Sequence, residues 1–235
     1  PAAHHYDIAP DGREIAFTFD PAEEKRFDHE HHIVALDLRG KRFRTVTKGS
    51  RLDHEGPSYS PDGKWLAILT RNLRRSYLAE TRIALLDRGT GRLRPFPASW
   101  DRSVHAPVAW SGDSASVLFL AEDRGRTHAF RWRLGDEAPE VAALGGTVTD
   151  FAVAGDALAF VRNTMSTPPA VFCTTPQRGE RRIDGFNDEA MAGIRLGDVR
   201  EMQIRGWNGE KVQMWVIYPP DFDPGKKWPL LHNIH

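Results

Sequence analysis

The 235-residue sequence predicts an all-β fold, a partial β-propeller of about four four-stranded blades, on three observations. An Asp-centred corner recurs at Asp11, Asp62 and Asp113, each 51 residues after the last. A short run rich in β-branched and aromatic residues, alternating with period two, follows every corner. Gly and Pro break these runs on the same schedule, which excludes a helical repeat. Four strands per unit of about 40–50 residues is the pattern of stacked blades, since one such sheet cannot bury both faces alone.

The corners come first in each unit. Ala9-Pro10-Asp11-Gly12-Arg13, Ser60-Pro61-Asp62-Gly63-Lys64 and Ser111-Gly112-Asp113-Ser114 align, with a looser fourth copy at Ala154-Gly155-Asp156. Pro fixes φ at one turn position and Gly tolerates positive φ at another. Strands are predicted after the corners at 14–19, 65–70, 116–121 and 157–162, and again after a loop at 32–38, 82–87, 128–134 and 170–174. Turns at Arg39-Gly40, 89–91, Gly135-Asp136 and 177–179 lead into a short third strand, and strands at 56–59, 107–110 and 149–153 precede the next corner. The blades are expected to fill residues 1–190, with further blades upstream of Pro1. From Phe186 the template lapses: 187–197 is a short helical turn or an extended connector, and 199–218 is a hairpin about Asn208-Gly209. A second hairpin is expected where the strand with Val212, Met214 and Val216 passes through Pro219-Pro220 and a polar turn into the apolar run 228–234.

These residues resemble the prolyl oligopeptidase family of serine peptidases, within it the acylaminoacyl-peptidase and dipeptidyl-peptidase branch. The Ser-Pro-Asp-Gly-Lys corner carries part of the likeness. The more specific part is Trp207-Asn208-Gly209, Tyr218-Pro219-Pro220-Asp221-Phe222-Asp223, Lys226-Lys227-Trp228-Pro229-Leu230-Leu231 and Ile234-His235. The resemblance implies that 191–235 is a linker and the first strands of an α/β-hydrolase (peptidase) domain. It implies that His235 starts the loop beside the oxyanion hole. The catalytic serine, aspartate and histidine are then expected downstream, with none in this segment. The function implied is the substrate-gating propeller portion of a serine peptidase that hydrolyses short peptides, acylaminoacyl- or dipeptidyl-peptidase-like, the segment alone being inactive. A second class stays open: a non-catalytic propeller that binds a protein partner, of the periplasmic translocation type. The tail separates the two, because a closed binding ring has no use for KKWPLLHNIH.

Composition narrows the partners. With 32 basic and 32 acidic residues there is no basic footprint for nucleic acid or a membrane surface. No apolar run approaches the roughly 20 residues of a membrane span. Cys173 is the single cysteine, read as a small buried residue of a strand, and it leaves cytosolic and exported locations equally open. Nothing calls for a cofactor, a short peptide is the expected partner, and a homo-oligomer is left open.

The candidate side chains are few. Arg71, Arg74 and Arg75, with Glu80, fall in the loop after the second blade's strand and are candidates for capturing a peptide terminus by paired hydrogen bonds, against the plainer reading of a solvated charge run. Arg162-Asn163 takes the equivalent place two blades on. His29-Glu30-His31-His32 has the spacing of a two-histidine clamp, but no further ligands stand nearby in sequence, so no metal site is expected. His4-His5 and His54-Glu55 are taken as loop positions. Ser114 in Gly112-Asp113-Ser114-Ala115-Ser116 mimics a nucleophile elbow yet occupies a blade corner, with no strand-to-helix turn around it. Asp11, Asp62 and Asp113 lie on separate blades and are expected to cap turns, not to pair as acid and base.

Overall fold

A computed structural model describes residues 5–21, 30–47, 51–74 and 79–233. Four antiparallel four-stranded sheets follow one another along the chain, each ordered as its strands occur in sequence. The first blade is β1 (Tyr6–Ile8), β2 (Glu14–Phe19), β3 (His32–Asp37) and β4 (Arg42–Thr45). The second is β5 (Leu52–Tyr59), β6 (Trp65–Asn72), β7 (Thr81–Asp87) and β8 (Leu93–Pro95). The third is β9 (Val104–Trp110), β10 (Ser116–Asp123), β11 (Arg126–Arg133) and β12 (Glu140–Ala143). The fourth is β13 (Thr147–Ala154), β14 (Ala157–Thr164), β15 (Thr167–Thr175) and β16 (Gly179–Arg182). None of the described helices is long and apolar enough to cross a membrane.

The corners fold as their composition dictates. Asp11, Asp62 and Asp113 each accept the backbone N–H two residues on, from Arg13, Lys64 and Ala115. Ser60 and Ser111 donate their hydroxyls to the same carboxylates and accept the N–H of the first strand residue, Trp65 or Ser116. Gly12 and Gly63 sit at φ +66° and +69°, and Ser114 holds that place in the third corner at φ +61°. Its hydroxyl is buried and accepts the N–H of Asp62 from the preceding blade at 3.0 Å. Ser114 is therefore a turn residue that ties two corners together, and among the described residues no imidazole accepts its proton.

Burial happens between blades. The first strand of each blade packs on its predecessor: β5 on β1, β2 and β3, β9 on β5 and β7, β13 on β9, β10 and β11. Three apolar clusters fill the seams. Ile33, Tyr59, Leu66 and Ile68 lie between the first two blades, and Leu118, Leu120, Val148 and Phe160 between the last two. The middle seam is aromatic: Phe96, Trp100, Trp110, Phe119, Phe130 and Trp132. Among the described residues no further blade covers the outer faces of the first and last sheets; Tyr6 and Phe43 are exposed and β15 is nowhere fully buried. Cys173 on β15 is accordingly half-buried, where the sequence suggested full burial.

An ionic joint centred on Glu14 crosses the first seam. The Glu14 carboxylate accepts from Tyr59 Oη at 2.6 Å, Arg44 Nη2 at 2.7 Å and Arg88 Nη2 at 3.3 Å. Burial pushes its pKa up, but the Tyr59 hydroxyl and the two guanidinium groups outweigh this and hold it below the ordinary 4.5. A depressed carboxylate pKa stabilises the fold fully above the unfolded value and loses that contribution as pH falls through the folded one. The thermal midpoints of wild type and Glu14→Gln are expected to differ at pH 7 and to converge below pH 4.5. A gap that stays constant with pH would remove the joint from the acid response.

After the blades come a single helical turn, α1 (Asp188–Met191), an irregular stretch, and the two-stranded sheet β17 (Val199–Arg205) with β18 (Lys211–Ile217). The turn is as expected: Gly209 takes φ +81° and Glu210 accepts the N–H of Asn208. Gly197 is required by close approach, since a Cβ there would collide with the carbonyl of Tyr218. The second expected hairpin does not form. Residues 228–233 are in no strand, and Leu230 and Leu231 are exposed. β18 spends its pairing on β17, and an apolar run with no partner for its backbone cannot hold a strand.

Candidate functional site

The hairpin β17–β18 fixes which end of the propeller matters. Strands β10 and β11 are joined by a two-residue turn, Arg124-Gly125, both at positive φ, the geometry that matches strand twist. Gln213 of β18 donates Nε2–H to the Arg124 carbonyl at 2.8 Å, and the Arg126 guanidinium lies 4.3 Å from the centre of the Trp215 ring. A cavity of about 220 Å³ under this contact is lined by Gly125, Arg126, Thr147, Met165 and Trp215. The hairpin thus docks at the ends of the third and fourth blades that carry the links between second and third strands.

The same end of the second blade carries a polar cluster of His31, Asp53, Glu55 and Arg71. It crosses the seam between the first two blades. His31, just ahead of β3, places Nδ1 2.9 Å from Asp53 Oδ1 and 3.0 Å from Glu55 Oε1, both on β5. With two carboxylate acceptors in reach, Nδ1 carries the proton. The His31 backbone N–H also donates to Asp53, at 2.8 Å. Arg71 closes the group by donating Nη2–H to the other Asp53 oxygen at 2.9 Å. Asp53 and Glu55 are two apart on a strand and so share a face. Asp53 is 3 % exposed, whereas Glu55 and Arg71 reach solvent. His54 is buried without a hydrogen-bond partner for either ring nitrogen. Burial, reinforced by the neighbouring His32, lowers its pKa and keeps it neutral. Burial likewise lowers that of His128.

The structure divides the sequence candidates. Arg71 is the last but one residue of β6, so the strand runs further than expected and the arginine stands on sheet, paired with Asp53. Arg74 is exposed, and its backbone N–H is held by Asn72. Glu80 accepts from Arg82 Nη2 at 2.7 Å, and Arg82 is anchored in turn on the Trp100 carbonyl. Arg75, His29 and His235 lie outside the described residues. Arg162 stacks over Phe172 and bonds the Leu144 carbonyl and Glu180, which makes it a packing element of the fourth blade. Sequence reasoning missed Asp53 and set Glu55 aside as a loop position. The run Leu52–Tyr59, LDHEGPSY, contains Gly and Pro and few β-formers, so its first half was assigned to a loop. The alternation of Asp53 and Glu55 was the available signal.

No protein-family model matches the chain. Dipeptidyl-peptidase 5 of Aspergillus fumigatus is 28% identical over 253 aligned residues, covering 99% of this chain and 34% of the relative. The acylaminoacyl peptidase of Pyrococcus horikoshii superposes with a TM-score of 0.74 at 16% identity, over 97% of this chain and 34% of that one. TolB of Acinetobacter baumannii also superposes, with a TM-score of 0.55 at 15% identity over 91% of this chain and 51% of its own. The chain spans about a third of the length of the curated relatives it matches. TolB is similar in fold alone, whereas the dipeptidyl-peptidase likeness runs through the sequence from the corners to the tail. In sequence the chain is similar to part of dipeptidyl-peptidase 5, and in fold to the propeller-bearing part of acylaminoacyl peptidase.

Proposed function

We propose that this chain is the substrate-gating part of a serine peptidase that cleaves short peptides in the manner of dipeptidyl- or acylaminoacyl-peptidases. The blades occupy 1–190, and 191–235 begins the peptidase domain. The observation that carries the reading is the docking of β17–β18. Trp215 and Gln213 hold it against the Arg124-Gly125 turn, at the end of the blades that also carries Arg71 and Arg74. A catalytic domain built on that chain would have the propeller as its lid. Substrates would meet a rim with both signs of charge, suited to holding a peptide terminus by paired hydrogen bonds. Arg71, Arg74, Arg75 and Glu80 are the residues assigned to that rim, and His235 to the start of the oxyanion loop. Nucleophile, general base and its orienting carboxylate then come from downstream residues, with acyl transfer as the reaction class.

The purified chain is expected to release no nitroaniline from aminoacyl or dipeptidyl nitroanilides, while the longer parent protein does. Hydrolysis by the chain alone, free of host peptidases, would overturn the division of labour. The parent is also expected to spare denatured casein while cutting short peptides. Equal digestion of both would overturn the gate.

A further inference from the structure

We propose that His31, Asp53 and Glu55 form a divalent-cation site, with zinc-type coordination, that staples the first blade to the second at the hairpin end. Three potential ligand atoms, one imidazole nitrogen and two carboxylate oxygens, converge within 4.8 Å of one another. Around a tetrahedral Zn²⁺ with bonds of about 2.0–2.2 Å, ligand atoms stand roughly 3.3–3.5 Å apart. The present imidazole–carboxylate separations of 2.9 and 3.0 Å have to open by a few tenths of an ångström, and the two carboxylate oxygens, within 4.8 Å of one another, have to settle at the same spacing. One imidazole with two carboxylates is a donor set for borderline ions of the zinc type. Glu55 and His31 are partly exposed, which leaves room for water as a fourth ligand.

The surrounding contacts favour a cation over a simple hydrogen-bonded cluster. Asp53 and Glu55 project from the same face of β5, so two negative charges are set side by side. Arg71 answers one of them through Asp53 Oδ2 and leaves Oδ1 turned to His31. It thus orients the carboxylate as outer partners of metal ligands do. The backbone N–H of His31 fixes the same oxygen from the other blade. On binding, Nδ1 gives its lone pair to the ion and the neutral ring carries its one proton on Nε2. The ligands come from two blades, so the ion resists separation of the first seam.

The test uses the EDTA-stripped chain. Zn²⁺ titrated calorimetrically is expected to bind one equivalent and to raise the thermal midpoint. Co²⁺ is expected to give visible bands of four-coordinate intensity. Glu55→Gln, at a half-exposed position that the fold tolerates, is expected to weaken binding by more than about tenfold, since losing even an outer-shell partner costs that much. His31→Gln is expected to do the same. Absence of one-equivalent uptake would overturn the proposal. So would uptake that both variants retain, because the ion would then sit on other ligands.

Discussion

Phe119→Ala is expected to destabilise the chain by about 3–5 kcal/mol, the cost of truncating a fully buried phenylalanine. Phe119 is 0 % exposed and meets three rings. Phe96 and Trp100 approach edge-on from the connection after β8, with centroids 5.5 and 5.6 Å away, and Phe130 stacks from β11 at 5.9 Å. Phe119 and Phe130 belong to the third blade, and Phe96 and Trp100 to the link from the second, so collapse around the cavity would have to move that link against the third sheet. Against a total stability of about 5–15 kcal/mol, that loss takes the middle seam close to separation. Phe43→Ala removes the same ring from an exposed site and should cost no more than about 0.5 kcal/mol. Urea midpoints of the two variants measure the contrast. Comparable shifts would mean that the aromatic seam does not hold the blades together.

The blades were legible because their corners are chemically explicit. Pro, Asp and Gly at fixed offsets have few folded outcomes, and the strands after them are bounded on one side by a turn that cannot move. Strand β2 and the hairpin β17–β18 accordingly fall where the sequence places them, to within a residue. The strands ahead of the corners were legible only in their second halves. Leu52–Glu55 of β5 and Val104–Ala106 of β9 extend strands whose pairing comes from a neighbour 14–20 residues away, with no local signal of their own. The failed strand at 228–233 is the converse case: local β propensity without a partner is not structure.

The site was less legible than the fold for a related reason. The His29–His32 run showed one half of a ligand set, and its complement lies on the next blade at a separation fixed by the repeat, not by local spacing. Arg71 was selected for its loop position. It matters instead because β6 extends to Asn72 and sets its guanidinium beside Asp53. Two charges that look solvated in sequence, Arg71 and Glu80, each have an ionic partner, Asp53 and Arg82. A peptide terminus would compete with those pairs, and Arg74 is the one described rim cation without a side-chain partner.

Asp53→Ala in metal-free buffer is expected to cost about 2–3 kcal/mol, and Arg71→Ala less than about 1 kcal/mol, although the two residues form one ion pair. The asymmetry follows from burial. Asp53 is enclosed and takes hydrogen bonds from the His31 backbone, the His31 ring and Arg71. Its loss leaves a half-buried backbone N–H at the mouth of β3 without an acceptor, and the full desolvation penalty of that group is felt. Arg71 is 46 % exposed, so a freed guanidinium returns to water, and its removal leaves Asp53 still held by His31. Denaturant midpoints of the two single variants and the double variant decide the matter. If Arg71→Ala proved as costly as Asp53→Ala, and the double variant no worse than either, the ion pair within the second blade would account for the whole loss. The His31 link between blades would then contribute nothing.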